Sequence, residues 1–226
     1  MASENDHKND SLPDLIRTEG INFKGYGIVF KYVMLDRNIS IEAKGIFAYF
    51  CSYAGSGCQA FPGRDKILDD LGINKSTYYI HLNQLKNSGY ITSEQEHQKG
   101  VKGFMRNIYT IRSFPKCAED DIGKIPEAQK TGIKYFGYGM IPKAIMTDKR
   151  LKLKAKSLYA YFCSFAGAGS EVTPQKDNIL VHLGITHNTY SKYINELKSL
   201  DYISTFQMNN NGSFGNNRII LNEKPG

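Results

Sequence analysis

The sequence predicts an α+β protein made of two tandem copies of one unit, each closed by a β-hairpin, that form an internal pseudo-dimer. Gly25 to Gln95 can be laid over Gly137 to Gln207 without a gap, and about 30 of roughly 70 positions are identical, which marks a duplicated unit. Within each copy an extended stretch is followed by three segments with helical spacing of apolar residues and then by an alternating run. The clearest matches are Ala48 to Ser52 against Ala160 to Ser164, and Leu71-Gly72-Ile73 against Leu183-Gly184-Ile185.

This places a first repeat at 25–111 and a second at 137–222, joined by a linker over 112–136. Residues 1–24 read as a flexible tail, because Glu4, Asn5, Asp6, Lys8 and Asp10 offer nothing to bury. The linker carries Pro115, Pro126 and several charges.

Each repeat opens with a strand, Tyr26 to Met34 in the first. Pro142 stands where Phe30 stands, and proline lacks the ladder donor, so this strand is an edge or lies outside the main sheet. Ser40 caps the first helix. Ala43, Ile46, Phe47, Phe50, Cys51 and Ala54 form its apolar stripe, repeated by Ala155, Leu158, Tyr159, Phe162, Cys163 and Ala166. Gly55 and Gly167 end these helices. A shorter helix is expected to start at Pro62 and Pro174, burying Ile67, Leu68 and Leu71, or Ile179, Leu180 and Leu183. After the Gly72 or Gly184 turn a third helix starts from a polar cap, Asn74 or Thr186. Its inner stripe is Tyr78, Leu82 and Leu85, answered by Tyr190, Ile194 and Leu197. A hairpin follows, from Tyr90 to Ile111 and from Tyr202 to about Leu221.

Strand, helix, helix, glycine turn, helix, hairpin is the order of a winged helix-turn-helix. The run from Leu71 through Asn74, Thr77, Tyr78, Leu82 and Leu85 to Tyr90-Ile91 resembles that family closely, although Asp201 replaces Gly89 at the second wing. The chain as a whole also resembles the DNA-binding accessory proteins of Gram-positive conjugative plasmids, called TraN in type IV secretion operons. There, two winged helices in one chain make an internal dimer.

A recognition helix reads base edges from the major groove through side chains near its N-terminus. The outward positions are Lys75, Ser76, Tyr79, Ile80 and Asn83 in the first repeat, and His187, Asn188, Ser191, Lys192 and Asn195 in the second. The inner stripe is largely shared between copies, whereas the outer face keeps only Asn83 and Asn195. The two helices are therefore expected to read different bases. Thr77 and Thr189 suit either a phosphate contact or a local cap. Arg64 and Lys176 open the second helix, where positive charge is locally unfavourable and an external anion would explain it. Lys99, Lys102 and Arg106 in one wing and Arg218 in the other are candidates for backbone contact, or simply keep an edge strand soluble. Lys149, Arg150, Lys152, Lys154 and Lys156 read as a phosphate-facing strip or a solvated face, with the solvated face favoured.

The formal net charge is +7, and both repeats carry a positive excess, consistent with an anionic partner. Cys51 and Cys163 at equivalent places read as small buried thiols. No cysteine or histidine spacing suits zinc, and no phosphate loop or catalytic signature is present. His182 and His187 lack counterparts, since Asp70 and Lys75 stand there, so the expectation is no enzyme, no metal and no cofactor. No apolar run approaches the roughly 20 residues of a membrane span, and the expected setting is cytoplasmic. The expected partner is double-stranded DNA, bound by a monomer that acts as a dimer, with other transfer or replication proteins as further partners. The resemblance implies a repressor or accessory factor of a mobile element reading an imperfect inverted repeat. The alternatives are a plasmid replication initiator, or a protein-interaction module of a secretion or primosome assembly.

Overall fold

The computed structural model describes residues 25–97, 105–112, 137–210 and 213–222. The first repeat runs β1 (Tyr26–Phe30), α1 (Lys31–Leu35), α2 (Ile41–Ala54), β2 (Gln59–Ala60), α3 (Arg64–Leu71), α4 (Lys75–Asn87), β3 (Ile91–His97) and β4 (Met105–Ile111). The second repeats the order as β5 (Tyr138–Pro142), α5 (Lys143–Thr147), α6 (Leu153–Ala166), β6 (Glu171–Val172), α7 (Lys176–Leu183), α8 (His187–Ser199), β7 (Ile203–Asn210) and β8 (Ser213–Leu221). Each wing is a three-stranded antiparallel sheet, ordered β2-β4-β3 and β6-β8-β7. The α+β class and the tandem winged helix-turn-helix layout hold as expected.

Three local details differ from the sequence reading. The leading strand ends at Phe30, not Met34: its pairing stops there, and the chain turns into α1 to bury Val33 and Met34. Pro62 and Pro174 lie before α3 and α7, whose N-caps are Gly63 and Gln175. The third wing strands, β2 and β6, are two residues long, too short for any periodicity to reveal.

The repeats meet about a pseudo-two-fold axis. β1 pairs with β5 antiparallel in a separate two-stranded ribbon, with Ile28 opposite its own counterpart Met140. Pro142 occupies the end of that ribbon, outside both wing sheets, as its missing donor requires. Beneath the ribbon α2 packs against α6. This makes α2 more than amphipathic: Ile41 and every residue from Ala43 to Ser52 are buried, because one face lies on its own repeat and the other on the partner helix. Gly45 and its counterpart Ser157 meet at the axis, and a Cβ on Gly45 would lie 2.3 Å from Ser157 Oγ. Glu42 forms an ion pair with Lys154, the residue at the equivalent position, at 2.9 Å. A pair of identical units would oppose like charges there, so divergence between the copies favours pairing of one repeat with the other.

Two lysines make the deepest ties across this interface. Lys44 and Lys156 are equivalent and fully buried. Lys44 Nζ donates to the carbonyl of His182, and Lys156 Nζ to that of Asp70, the equivalent residue. Lys156 Nζ also donates to the Met146 carbonyl at 2.9 Å. The pattern extends outward: Lys31 Nζ lies 4.0 Å from the Phe165 ring centroid and Lys143 Nζ 3.7 Å from that of Tyr53. The basic cluster near α6 is thus a solvated face only in part: Lys149, Arg150 and Lys152 are exposed, as expected, whereas Lys154 is half-buried and Lys156 is buried. Lys156 is interior, Lys154 pairs with Glu42, Lys149 with Asp69 at 2.6 Å and Arg150 with Asp148 at 2.8 Å.

Burial pushes both lysine pKa values down to about 8, partly opposed by Asp36 near Lys44 and by Asp148, Asp70 and Glu196 near Lys156. The unfolded chain then holds more protons than the folded one above about pH 8, so stability rises with pH there. Burial raises the thiols of Cys51 and Cys163 and the phenols of Tyr49 and Tyr159, which reverses the trend once the unfolded thiols and phenols ionise. Urea unfolding between pH 8 and pH 9 should show a gain of about 1 kcal/mol. A Lys44→Met, Lys156→Met double variant should lose that rise; a stability that falls steadily across the same interval would contradict the assignment.

Candidate nucleic-acid interface

Each third helix is launched by a tight turn that only a few residues tolerate. Gly72 and Gly184 sit in the left-handed region, at φ 61° in both copies. The Ile73 amide then bonds the Leu68 carbonyl at 3.1 Å, and Ile185 bonds Leu180 at 3.0 Å. Asn74 Oδ1 accepts from the Thr77 amide at 2.8 Å and Thr186 Oγ1 from the Thr189 amide at 3.3 Å, capping α4 and α8. Neither helix has an acidic residue in its first turn, so both N-termini keep the positive potential that suits a phosphate.

The inner stripes anchor these helices. Tyr78, Leu82 and Leu85 are buried, as are Tyr190, Ile194 and Leu197, joined by Tyr193. Polar ties then index each recognition helix to the central pair. Ser40, the N-cap of α2, donates from Oγ to Gln84 Oε1 at 2.7 Å and meets His81 Nδ1 at 2.9 Å. At the equivalent place the Lys152 amide donates to Glu196 Oε1 at 2.6 Å. Tyr90 and Tyr202, which begin the wings, donate their hydroxyls to Asp36 and Asp148 at 2.9 and 2.8 Å. Asp201 takes φ 55° where Gly89 takes 73°. Asn222 Nδ2 donates to its carbonyl and to its Oδ1, both at 2.9 Å, which holds the non-glycine turn.

What remains outside is one stripe on each helix. Lys75, Ser76, Tyr79, Ile80 and Asn83 are exposed on α4, and His187, Asn188, Ser191, Lys192 and Asn195 on α8. Each stripe faces solvent, so the two helices are not buried against each other.

A family model described as a helix-turn-helix domain matches residues 37–91 and 149–203. Each span runs from just before a central helix to the first residue of the wing. Both segments are helix-turn-helix domains. Such tandem domains support binding to DNA. No curated protein matches the chain at a significant level.

Around the two helix-turn-helix domains the other candidates fall unevenly. Arg64 opens α3, bonds Asp65 Oδ1 at 3.1 Å and lies near enough to the Tyr79 hydroxyl of α4 to interact with it electrostatically. Lys176 is exposed at the start of α7, with Nζ 5.4 Å from the Tyr190 ring centroid. The Thr189 hydroxyl lies 3.0 Å from that of Thr186, which places it in the cap. Arg218 stands within β8 and is ion-paired with Glu171, so a phosphate would have to compete with that carboxylate. Arg106 belongs to β4, but its side chain, together with Lys99 and Lys102, lies outside the described residues. Cys51 and Cys163 are buried, as expected, and Cys58 is exposed; Cys117 lies outside the described residues.

His182 bonds the Tyr161 hydroxyl through Nδ1 at 2.9 Å, and burial, with the charges of Arg37 and Lys44, pushes its pKa down. It sits at the repeat junction, apart from His187 on the reading face. Among the described residues no group of histidine, cysteine or carboxylate side chains could hold a metal ion, and no helix is long and apolar enough to cross a membrane.

Proposed function

We propose that this chain is a sequence-specific double-stranded DNA-binding protein, a built-in dimer that reads an imperfect inverted repeat with α4 and α8. The observation that carries the reading is the pairing of two exposed, chemically different stripes with one pseudo-two-fold core that indexes both helices. A two-fold arrangement favours inverted over direct repeats, which sets it apart from an initiator that binds directly repeated sites. The role follows the resemblance: a cytoplasmic repressor, or an accessory factor of a conjugative element, acting as a monomer without enzymatic activity or cofactor. Arg64, Lys75, Ser76, Thr77, Tyr79, Asn83, Lys176, His187, Asn188, Thr189, Ser191, Lys192 and Asn195 would form the contact surface, with Arg218 and the wing residues Lys99, Lys102 and Arg106 at its margins.

Selection of bound duplexes from a random-sequence pool tests this, followed by titration of the winning sequence. A single motif with two related but unequal halves is expected, with log affinity falling by about 0.9 per phosphate neutralised for each decade of salt. Replacing Lys75 and Lys192 together by alanine should weaken binding roughly 30-fold or more while leaving the melting temperature unchanged. Undiminished DNA affinity in that variant, with folding intact, would favour a protein-interaction module instead.

A further inference from the structure

The two reading stripes differ in more than identity. On α8 the stripe Asn188, Ser191, Lys192, Asn195 is wholly hydrogen-bonding. On α4 the equivalent positions are Ser76, Tyr79, Ile80 and Asn83, and its centre is apolar. Ile80 is 60% exposed and Tyr79 44% exposed, the two being adjacent on one helical turn. Exposure alone does not single them out, since Phe61, Val181 and Phe206 are also exposed. Position does: Ile80 lies between Ser76 and Asn83 at helical spacings of four and three, on the face that the inner stripe leaves outward. Tyr79 has two neighbours. Its ring lies 5.2 Å from that of Tyr78, and the Arg64 guanidinium is close enough to its hydroxyl to interact electrostatically. The ring stands next to Ile80 in the chain, and the isoleucine is the more exposed apolar tip of the stripe.

Only one group on a base-pair edge in the major groove is apolar, the 5-methyl of thymine. Resting on the DNA reading above, we infer that Ile80, next to Tyr79, is a specificity-determining contact for a thymine methyl in the half-site of the first repeat. At the equivalent position the second repeat presents Lys192, a donor suited to the guanine O6 and N7 acceptors. The inequality of the half-sites is thus chemical: an A·T pair answers Ile80 where a G·C pair answers Lys192.

The test replaces single thymines by deoxyuridine in the selected duplex, which removes the methyl and nothing else. With the full chain, one thymine, confined to one half-site, should show binding weakened about three- to fivefold, as expected for one buried methyl-sized group. The Ile80→Ala chain should bind both duplexes equally. The Ile80→Lys chain, in a repeated selection, should prefer G·C at that position and yield more nearly equal half-sites. A methyl effect that survives in Ile80→Ala, or no thymine whose methyl matters, overturns the inference while leaving sequence-specific binding intact. A pool with no enriched motif defeats the DNA reading itself and this inference with it.

Discussion

Gly139→Ala is expected to yield little folded protein. A Cβ at Gly139 would lie 1.7 Å from the Cys163 carbonyl oxygen, and one at Gly27 would lie 1.7 Å from that of Cys51. The ribbon rests directly on the backbones of α2 and α6, and neither partner has a side-chain end that can move aside. Overpacking against flexible groups costs about 1–3 kcal/mol; against the α6 helix backbone, which cannot move aside, the loss should be about 4 kcal/mol or more. Gly184→Ala is the control. There φ is positive but the space is open, so only about 1 kcal/mol should be lost. Soluble yield and the thermal transition by circular dichroism measure both. A Gly139→Ala protein as stable as Gly184→Ala would show that ribbon and helices are not in contact.

The buried lysines should show the second large effect. Lys156→Ala removes a packed four-carbon stem and strips the Asp70 and Met146 carbonyls of their donor. Removing a buried ammonium also relieves its desolvation, which the depressed pKa records. The cavity and two orphaned carbonyls outweigh that relief, for a net loss of about 3 kcal/mol. Lys44→Ala, with the single acceptor of His182, should lose about 2 kcal/mol. Chemical unfolding at pH 7 measures both. Wild-type stability in the alanine variants would mean that these lysines do not tie one repeat to the other.

Most of the fold could be read from the chain because duplication exposes it. The caps, the glycine turns and the inner stripes of the third helices follow from local chemistry that recurs in both copies. The repeat junction was harder to see. Lys44 and Lys156 are identical in the two copies and sit inside apolar helical runs, but a lysine there reads as solvated unless a carbonyl from another element is known to meet it. Nothing in the sequence marks Glu42 and Lys154 as partners; the axis brings them together. The expected leading strand runs on past Phe30 because Val33 and Met34 are apolar in either state. On the reading face the exposed positions follow from helical spacing alone. The proximity of Arg64 to Tyr79 does not, since it joins the start of one helix to the side of the next.

The proposed function requires the two paired helix-turn-helix domains to address one duplex through a two-fold arrangement. Half-site geometry tests it most directly: affinity for the selected site, for the same site with five base pairs inserted between its halves, and for the site with one half inverted. Five base pairs turn one half-site by roughly half a helical turn, so both altered duplexes should bind at least tenfold more weakly than the selected one. Equal affinity for all three would mean that the two domains bind independently, contradicting the built-in dimer.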